Sequence, residues 1–327
     1  MSPAPLTGRQ LRYAIRPGTW RHLGRRARWS LTPRRAPGRP LTWPLPADPQ
    51  APIRVRWPGA YGWPNAAGWA EPIRRGLGVH ADLQAAELTQ PLGNVVRFEI
   101  GLGRESLTAI LDYDDSMELN ASVDASDLYF KLQYRRGGYG SAHVVPGGYV
   151  SKQPALYRYA KRWRELRERS SPRHDVLGRF GLHWAREIRS RALMLLGEQD
   201  RFDFEGGTRA LWWGEYMDEL VTARVCLDLP GNGELCYRLV EYLAVGACII
   251  GPELEAELPV PLVSSVELVR VPRDLAGLVD GCERLLADEA LRARLGHAAA
   301  EYFDRHLALE QLGAYYLHCA GRTLGAL

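Results

Sequence analysis

Lysine is almost absent from this chain. Only Lys131, Lys152 and Lys161 occur among 42 basic residues, so the other 39 are Arg. With frequent Ala, Gly and Pro, this is the imprint of a GC-rich genome. Arg is therefore the ordinary surface cation here, and no single Arg signals function by itself. Cysteine is scarce as well: Cys226, Cys236, Cys248, Cys282 and Cys319 are the five, and none forms a C-x-x-C pair. Their odd number and apolar neighbours argue against a disulfide framework or a zinc site and predict buried free thiols in a reducing compartment. No apolar run approaches the roughly 20 residues that span a bilayer. The first residues also lack the roughly 7–15-residue apolar core of a signal peptide, so a cytoplasmic protein is expected.

Acid is missing from one end. Residues 1–40 hold ten Arg and no Asp or Glu, and Asp48 is the first acid. Removing those ten charges from the net +4 leaves −6 for residues 41–327. Nine of the 22 Pro also fall within the first 49 residues, the composition of an arm and linker. Within it, Trp20, Leu23, Ala27 and Leu31 repeat at helical spacing, with Arg between them and Trp29 on the other face. The arm can be read as a disordered tail, as a membrane-surface anchor through residues 1–40, or as a nucleic-acid contact. The last is weakest, because no base-reading motif accompanies the charge.

The remaining chain is long enough for two domains with a sizeable core: 327 residues, 46% hydrophobic and 24% charged. Strand-like segments fall at 53–57, 95–100, 107–111, 128–132 and 144–145, with a helical pattern over 70–88. A charged helix over 155–169 leads to a regular alternation. Strands at 176–180, 202–204, 225–229 and 248–250 are separated by helices at 185–196, 215–223 and 234–245. That order predicts a parallel sheet with right-handed crossovers. Helices at 275–286, 290–303 and 309–324 complete the chain.

The stretch LDLPGNGELCYRLVEYLAVGACIIGPE, residues 227–253, carries the most chemistry. A strand ends, a Pro230-Gly231-Asn232-Gly233 turn follows and a helix begins. Ligands of open α/β sheets bind beyond strand carboxyl ends, where helix N-terminal N–H groups suit phosphate. At about 100° per residue Glu234, Arg238 and Glu241 fall on one stripe. Such a stripe is either a solvated salt-bridge ladder or a ligand face. In the ligand reading, a cation neutralises a diphosphate and a carboxylate accepts from ribose hydroxyls.

Glu241-Tyr-Leu-Ala-Val-Gly246 followed by Cys248-Ile-Ile resembles the E-x-x-A-x-G signature in the C-terminal domain of GT-B glycosyltransferases. Tyr237-Arg238-Leu239 is similar to the diphosphate-binding segment of protein O-glucosyltransferase-like and exostosin-like members. The resemblance spans about residues 175–305 and is motif-specific around 230–252. It implies an α/β, GT-B-like fold: two Rossmann-like domains with a cleft between them, C-terminal helices and a basic N-terminal arm. The expected division is an arm at 1–50, a small acceptor-side domain at 51–155, a nucleotide-sugar-binding domain at 156–306 and a C-terminal helix at 307–327.

It also implies transfer of a sugar from a nucleotide-sugar donor to an acceptor such as a glycan, a lipid-linked sugar or a protein. Peripheral inner-membrane contact would come through the arm. Arg179, Asn232, Gly233, Glu234, Arg238 and Glu241 become the donor-binding candidates, with Arg238 stabilising the leaving diphosphate. Retaining members often carry a second Glu eight positions before the one matched by Glu241; here that position is Gly233, which leaves the stereochemical course open. Arg179 follows the first strand of the second domain, where the family often reaches the leaving phosphates; His183, in the same loop, reads as a structural or surface residue.

Asp112 and Asp114, in Leu111-Asp-Tyr-Asp-Asp115, can close a turn, act on the acceptor side as a general base, or hold a divalent metal. Arg and a helix N-terminus suffice for the diphosphate, so no metal or other cofactor is expected. Lys131 is a candidate to face the cleft, and 137–140 reads as a turn. The other readings of the chain are a nucleotide-sugar epimerase or hydrolase of the same fold, and a non-catalytic binding protein tethered by its basic arm.

Overall fold

The computed structural model describes residues 17–31, 39–46 and 52–327. Two β-sheets form the frame. The first contains β1 (Arg54–Pro58), β2 (Asp82–Ala86), β3 (Val95–Leu102), β4 (Glu105–Asp112), β5 (Leu128–Lys131) and β6 (Val144–Pro146), in the order β2-β1-β3-β4-β5-β6. Its outer pairs are parallel, while β3 is antiparallel to both β1 and β4. Side chains alternate with period two. Val96, Phe98 and Ile100 enter the main core, while Val95 joins Ile110, Tyr129 and Val144 on the opposite face.

The helix expected over 70–88 is shorter. α2 (Ala67–Leu77) ends at Gly78, and residues 82–86 pair with β1 as β2. Parallel pairing wins over the helical pattern there, because β1 presents an unpaired edge.

The second sheet is wholly parallel. It holds β7 (His174–Arg179), β8 (Phe204–Gly207), β9 (Ala223–Leu227), β10 (Cys248–Pro252) and β11 (Val269–Val271), in the order β11-β10-β9-β7-β8. In chain order this is a 2-1-3-4-5 winding, so the topological switch lies between β7 and β9. α4 (Arg186–Glu198), α5 (Trp213–Leu220), α6 (Tyr237–Val245), α7 (Leu278–Ala287) and α8 (Glu289–Tyr302) follow its strands. β11, three residues long, is too short to show a period in the sequence. Four of the free cysteines are buried in this half, where burial pushes the thiols of Cys226, Cys248 and Cys282 up to about 12.

Two helices tie the sheets together. α3 (Pro154–Arg169) carries the chain across, and α9 (Leu309–Thr323) returns to pack on α2. A Cβ on Gly313 would lie 2.1 Å from the Gly76 carbonyl oxygen, and one on Gly76 would lie 2.2 Å from the Leu309 oxygen. Only glycine allows that approach, which brings Tyr316 into a stack on Phe130 at 3.8 Å. Residues 133–136 also run against 255–257: Arg136 N donates to Glu255 O at 2.7 Å and Glu257 N to Tyr134 O at 2.8 Å. The two halves are joined along this edge and open at another.

The arm is partly folded, contrary to the disordered reading. α1 (Pro17–Leu31) docks on α3 and α5. His22 is fully buried, stacked on Trp163 and edge-on to Trp212 and Trp213. Trp29 meets Trp163 at 4.9 Å, and Arg25 pairs with Asp218 at 2.5 Å. Trp29 and His22 face the protein, and the Trp20, Leu23 and Leu31 stripe faces outward. Residues 39–46 lie along α9, where Trp43 packs on Tyr315 and Thr42 N donates to Gln311 Oε1. Aromatic surface on the body outweighs proline-rich composition in both places. The remainder of the segment expected to be disordered, 1–16, 32–38 and 47–50, lies outside the described residues. Among the described residues no helix is long and apolar enough to cross a membrane.

Candidate functional site

The carboxyl edge of the second sheet opens into a cavity of about 940 Å³, of the size that small ligands occupy. Arg179 and Gly181 after β7, Trp213 and Tyr216 from α5, and Arg238 and Glu241 from α6 line it. Lys152, from the crossover between the halves, and Arg26, from α1, complete the rim.

Burial sets the chemistry. Glu241 is fully enclosed; its Oε1 accepts from Ser151 Oγ at 3.0 Å and Trp213 Nε1 at 2.9 Å. Oε2 has no partner among the described residues. Desolvation pushes the Glu241 carboxyl up to about 7, against the pull of Trp213, Ser151 and Arg238. Arg238 is also buried and donates from Nη2 to Leu229 O at 2.9 Å, while its Nε lacks a partner. The buried Tyr216 hydroxyl makes no hydrogen bond of good geometry to a described residue, although it lies close enough to Glu241 to pull that carboxyl's pKa down. Three polar groups of complementary kinds thus lie buried beneath one cavity without a full set of hydrogen bonds, each costing about 1–3 kcal/mol to leave unmade. Burial lowers the Lys152 amine's pKa, opposed by Asp115.

The expected donor group divides. Arg238, Glu241 and Arg179 line this cavity, but Asn232, Gly233 and Glu234 line a separate one of about 650 Å³ beside α4. The cause is local: α6 begins only at Tyr237, and Cys236 is extended at φ −119°, ψ 148°. Residue 234 is therefore not on the helix, and the single stripe of Glu234, Arg238 and Glu241 does not form. Glu234 pairs instead with Arg273, at 2.6 and 2.8 Å. A Cβ on Gly233 would lie 2.3 Å from Gln133 Nε2, so this glycine lets the first domain close on the turn. Gln133 then takes the helix approach, donating to Leu235 O and accepting from Leu235 N, both at 2.9 Å. Asn232 donates to Asp115 at 3.1 Å.

Arg179 is occupied. Its donors go to Glu205, to both oxygens of Glu219 and to the Gly206 carbonyl. A phosphate there would have to displace two carboxylates.

Asp112 and Asp114 do not reach the cavity. Asp112 is fully buried and accepts from Lys131 Nζ at 2.9 Å, Tyr129 Oη at 2.6 Å and two backbone N–H groups. Asp114 holds Asn94 and the Ser116 N–H. The Lys131 ammonium stands where a metal would have to sit, so the pair is a structural knot and neither carboxylate is free for acid–base work. Lys131 correspondingly faces the core and not the cleft. Among the described residues no group of three or more His, Cys, Asp or Glu is placed to hold a metal ion.

The acid that reaches the interface is the neighbouring Asp115, whose pKa burial raises, against Asn232 and Lys152. His183 is exposed and packs edge-on to Trp184, and the turn expected at 137–140 closes earlier, over 135–138, where Gly138 N donates to Arg135 O at 2.9 Å.

The sequence gives no signal for Trp213, Tyr216, Lys152 or Arg26. Trp213 and Tyr216 share α5 while Lys152 and Arg26 come from the crossover and from α1, and no linear motif spans the three.

No family model and no curated protein matches the chain. Solved structures do. The C-terminal domain of a group 1 family glycosyl transferase, LpcC, from Francisella tularensis is 11% identical over 44% of this chain and 90% of that domain, with a TM-score of 0.32. A glycosyltransferase from Rickettsia africae is 14% identical over 50% of this chain and 43% of its own, also at 0.32. S. aureus TarM, in a complex with UDP and α-GlcNAc-glycerol, is 9% identical over 60% of this chain and 44% of its own, at 0.37. The chain thus spans less than half the length of the latter two, and at such distance none of their residues is transferred to it. The first two are glycosyltransferases by description; the fold of this chain is two α/β halves, the second with a wholly parallel sheet, and helices at the C-terminus.

Proposed function

We propose that the chain is a glycosyltransferase that takes its sugar from a nucleotide-sugar donor held in the 940 Å³ cavity. The observation that carries this is the trio of buried groups there without a full set of hydrogen bonds: Arg238 Nε, Glu241 Oε2 and Tyr216 Oη. A donor matches each of them. Its diphosphate needs a cation, its ribose hydroxyls need a carboxylate acceptor, and its sugar has hydroxyls for a phenol. Trp212 and Tyr237 supply apolar walls.

In transfer, the acceptor oxygen bonds to the anomeric carbon as the carbon–oxygen bond to the β-phosphate breaks. The electron pair leaves with the nucleoside diphosphate, and the acceptor proton passes to a carboxylate or to the departing phosphate. Negative charge grows on that phosphate, so Arg238, preorganised in a site away from water, acts on the transition state more than on the bound donor.

The direct test is thermal shift with UDP, GDP, ADP and their sugar conjugates, since a ligand raises apparent stability by mass action. At least one nucleoside diphosphate should raise the melting temperature of the parent, and less so that of Arg238→Lys. If none shifts the parent, the donor assignment fails. Release of nucleoside diphosphate only with an acceptor present separates transfer from donor hydrolysis.

A further inference from the structure

α1 has two faces with different tasks. At about 100° per residue, His22, Arg25 and Trp29 cluster on the side seated against α3 and α5. Trp20, Leu23, Ala27 and Leu31 cluster on the other. The outer side chains stay in solvent although they are large and apolar: Trp20 is 65% exposed, Leu23 42% and Leu31 83%. Docking of the inner face does not require them. Arg21 and Arg28, both exposed, run along one edge of this stripe, and Arg26 lies beyond the other. The helix contains no acid, and residues 1–40 carry ten Arg without one Asp or Glu. An apolar stripe bordered by cations suits the boundary of an anionic bilayer, where the apolar side chains enter the acyl region and Arg meets lipid phosphate. A second protein copy is a poorer match, because the same arginines would face each other across a twofold axis.

We propose that α1 is a membrane-docking helix, fixed to the protein by its inner face and inserted by Trp20, Leu23 and Leu31 into an anionic lipid surface. Arg26 of the same helix lines the 940 Å³ cavity, so docking brings the cavity mouth beside the bilayer. The surface is independent of which reaction the cavity serves.

Vesicle flotation of the full chain tests this, with phosphatidylcholine alone and with phosphatidylcholine containing phosphatidylglycerol. The parent should float with anionic vesicles, little with neutral ones, and progressively less as salt rises. Trp20→Glu with Leu31→Glu should lower partitioning by roughly tenfold per residue. Its melting temperature should stay that of the parent, because both side chains are already in water. Arg21→Glu keeps the apolar stripe and should weaken binding to anionic vesicles alone, by roughly fivefold or more. No flotation with anionic vesicles, equal flotation with neutral ones, or undiminished flotation of the double variant would each overturn the proposal. So would a concentration-dependent dimer that the double variant dissolves while the parent ignores vesicles.

Discussion

Replacing Glu241 by Gln should make the free protein more stable at neutral pH and a poorer binder of nucleotide. The carboxyl is fully buried, and burial moves its pKa from the ordinary 4.5 to about 7. Below about pH 4.5 it is protonated in both folded and unfolded chains and costs nothing extra. Between there and about 7 the unfolded chain releases the proton while the folded chain keeps it, so stability falls as pH rises through that window. Above it the full penalty remains, about 3 kcal/mol for the shift from 4.5 to about 7. Gln keeps an oxygen for Ser151 and Trp213 but carries no charge to desolvate. Guanidinium unfolding at a series of pH values should therefore show the variant gaining on the parent from about pH 4.5 to 7, then holding its lead.

Ligand binding should show the opposite trend. A carboxylate that accepts from ribose hydroxyls must be ionised, and its ionised fraction rises from about 3% at about pH 5.5 to about 76% at about pH 7.5. The parent's affinity for its nucleotide sugar, whose diphosphate does not titrate in this range, should strengthen by roughly tenfold or more when measured by calorimetry, while the variant's stays flat. If Glu241→Gln loses stability near pH 8 and binds nucleotide like the parent, Glu241 is a packing residue and the donor assignment is wrong.

Other outcomes are equally open to measurement. Arg238→Ala should lower turnover by roughly 10²–10³-fold with a smaller change in donor KM, since the charge it meets grows as the bond breaks; an unchanged kcat would refute that role. Chelators should leave donor binding and turnover intact, and a Mn²⁺ or Mg²⁺ requirement would send the diphosphate contact elsewhere. Lys131→Met should cost about 3–5 kcal/mol in chemical unfolding because it leaves Asp112 ionised and buried. Adding Asp112→Asn should recover much of that loss, and a purely additive double variant would deny the coupling. Gly313→Ala forces a Cβ to within 2.1 Å of the Gly76 carbonyl, so α2 and α9 must separate, at about 3 kcal/mol or more; a melting temperature equal to the parent's would contradict the close approach.

The sequence by itself determined the second half of the molecule best. Its strands and helices run at local periods: β7, α4, β9 and β10 lie close to where those periods place them, and α6 lacks only the expected first turn. The body of α6, with its Arg238 and Glu241, is legible for the same reason. Their charges sit among apolar core positions, on a helix that follows a strand and a glycine turn.

Long-range pairing was not legible. Residues 82–86 read as helix and became a strand because β1 offered an edge nearby. Which face of α1 meets the body was not legible, because the partner that decides it, Trp163 with Trp212 and Trp213, lies far along the chain. Tertiary structure alone sorted the acids and arginines. Lys131 claimed Asp112, two glutamates claimed Arg179, and Arg273 claimed Glu234. Which charges stay unspent depends on what folds beside them. A sequence records that a carboxylate is present; only packing decides whether its second oxygen is left without a donor, as it is at Glu241.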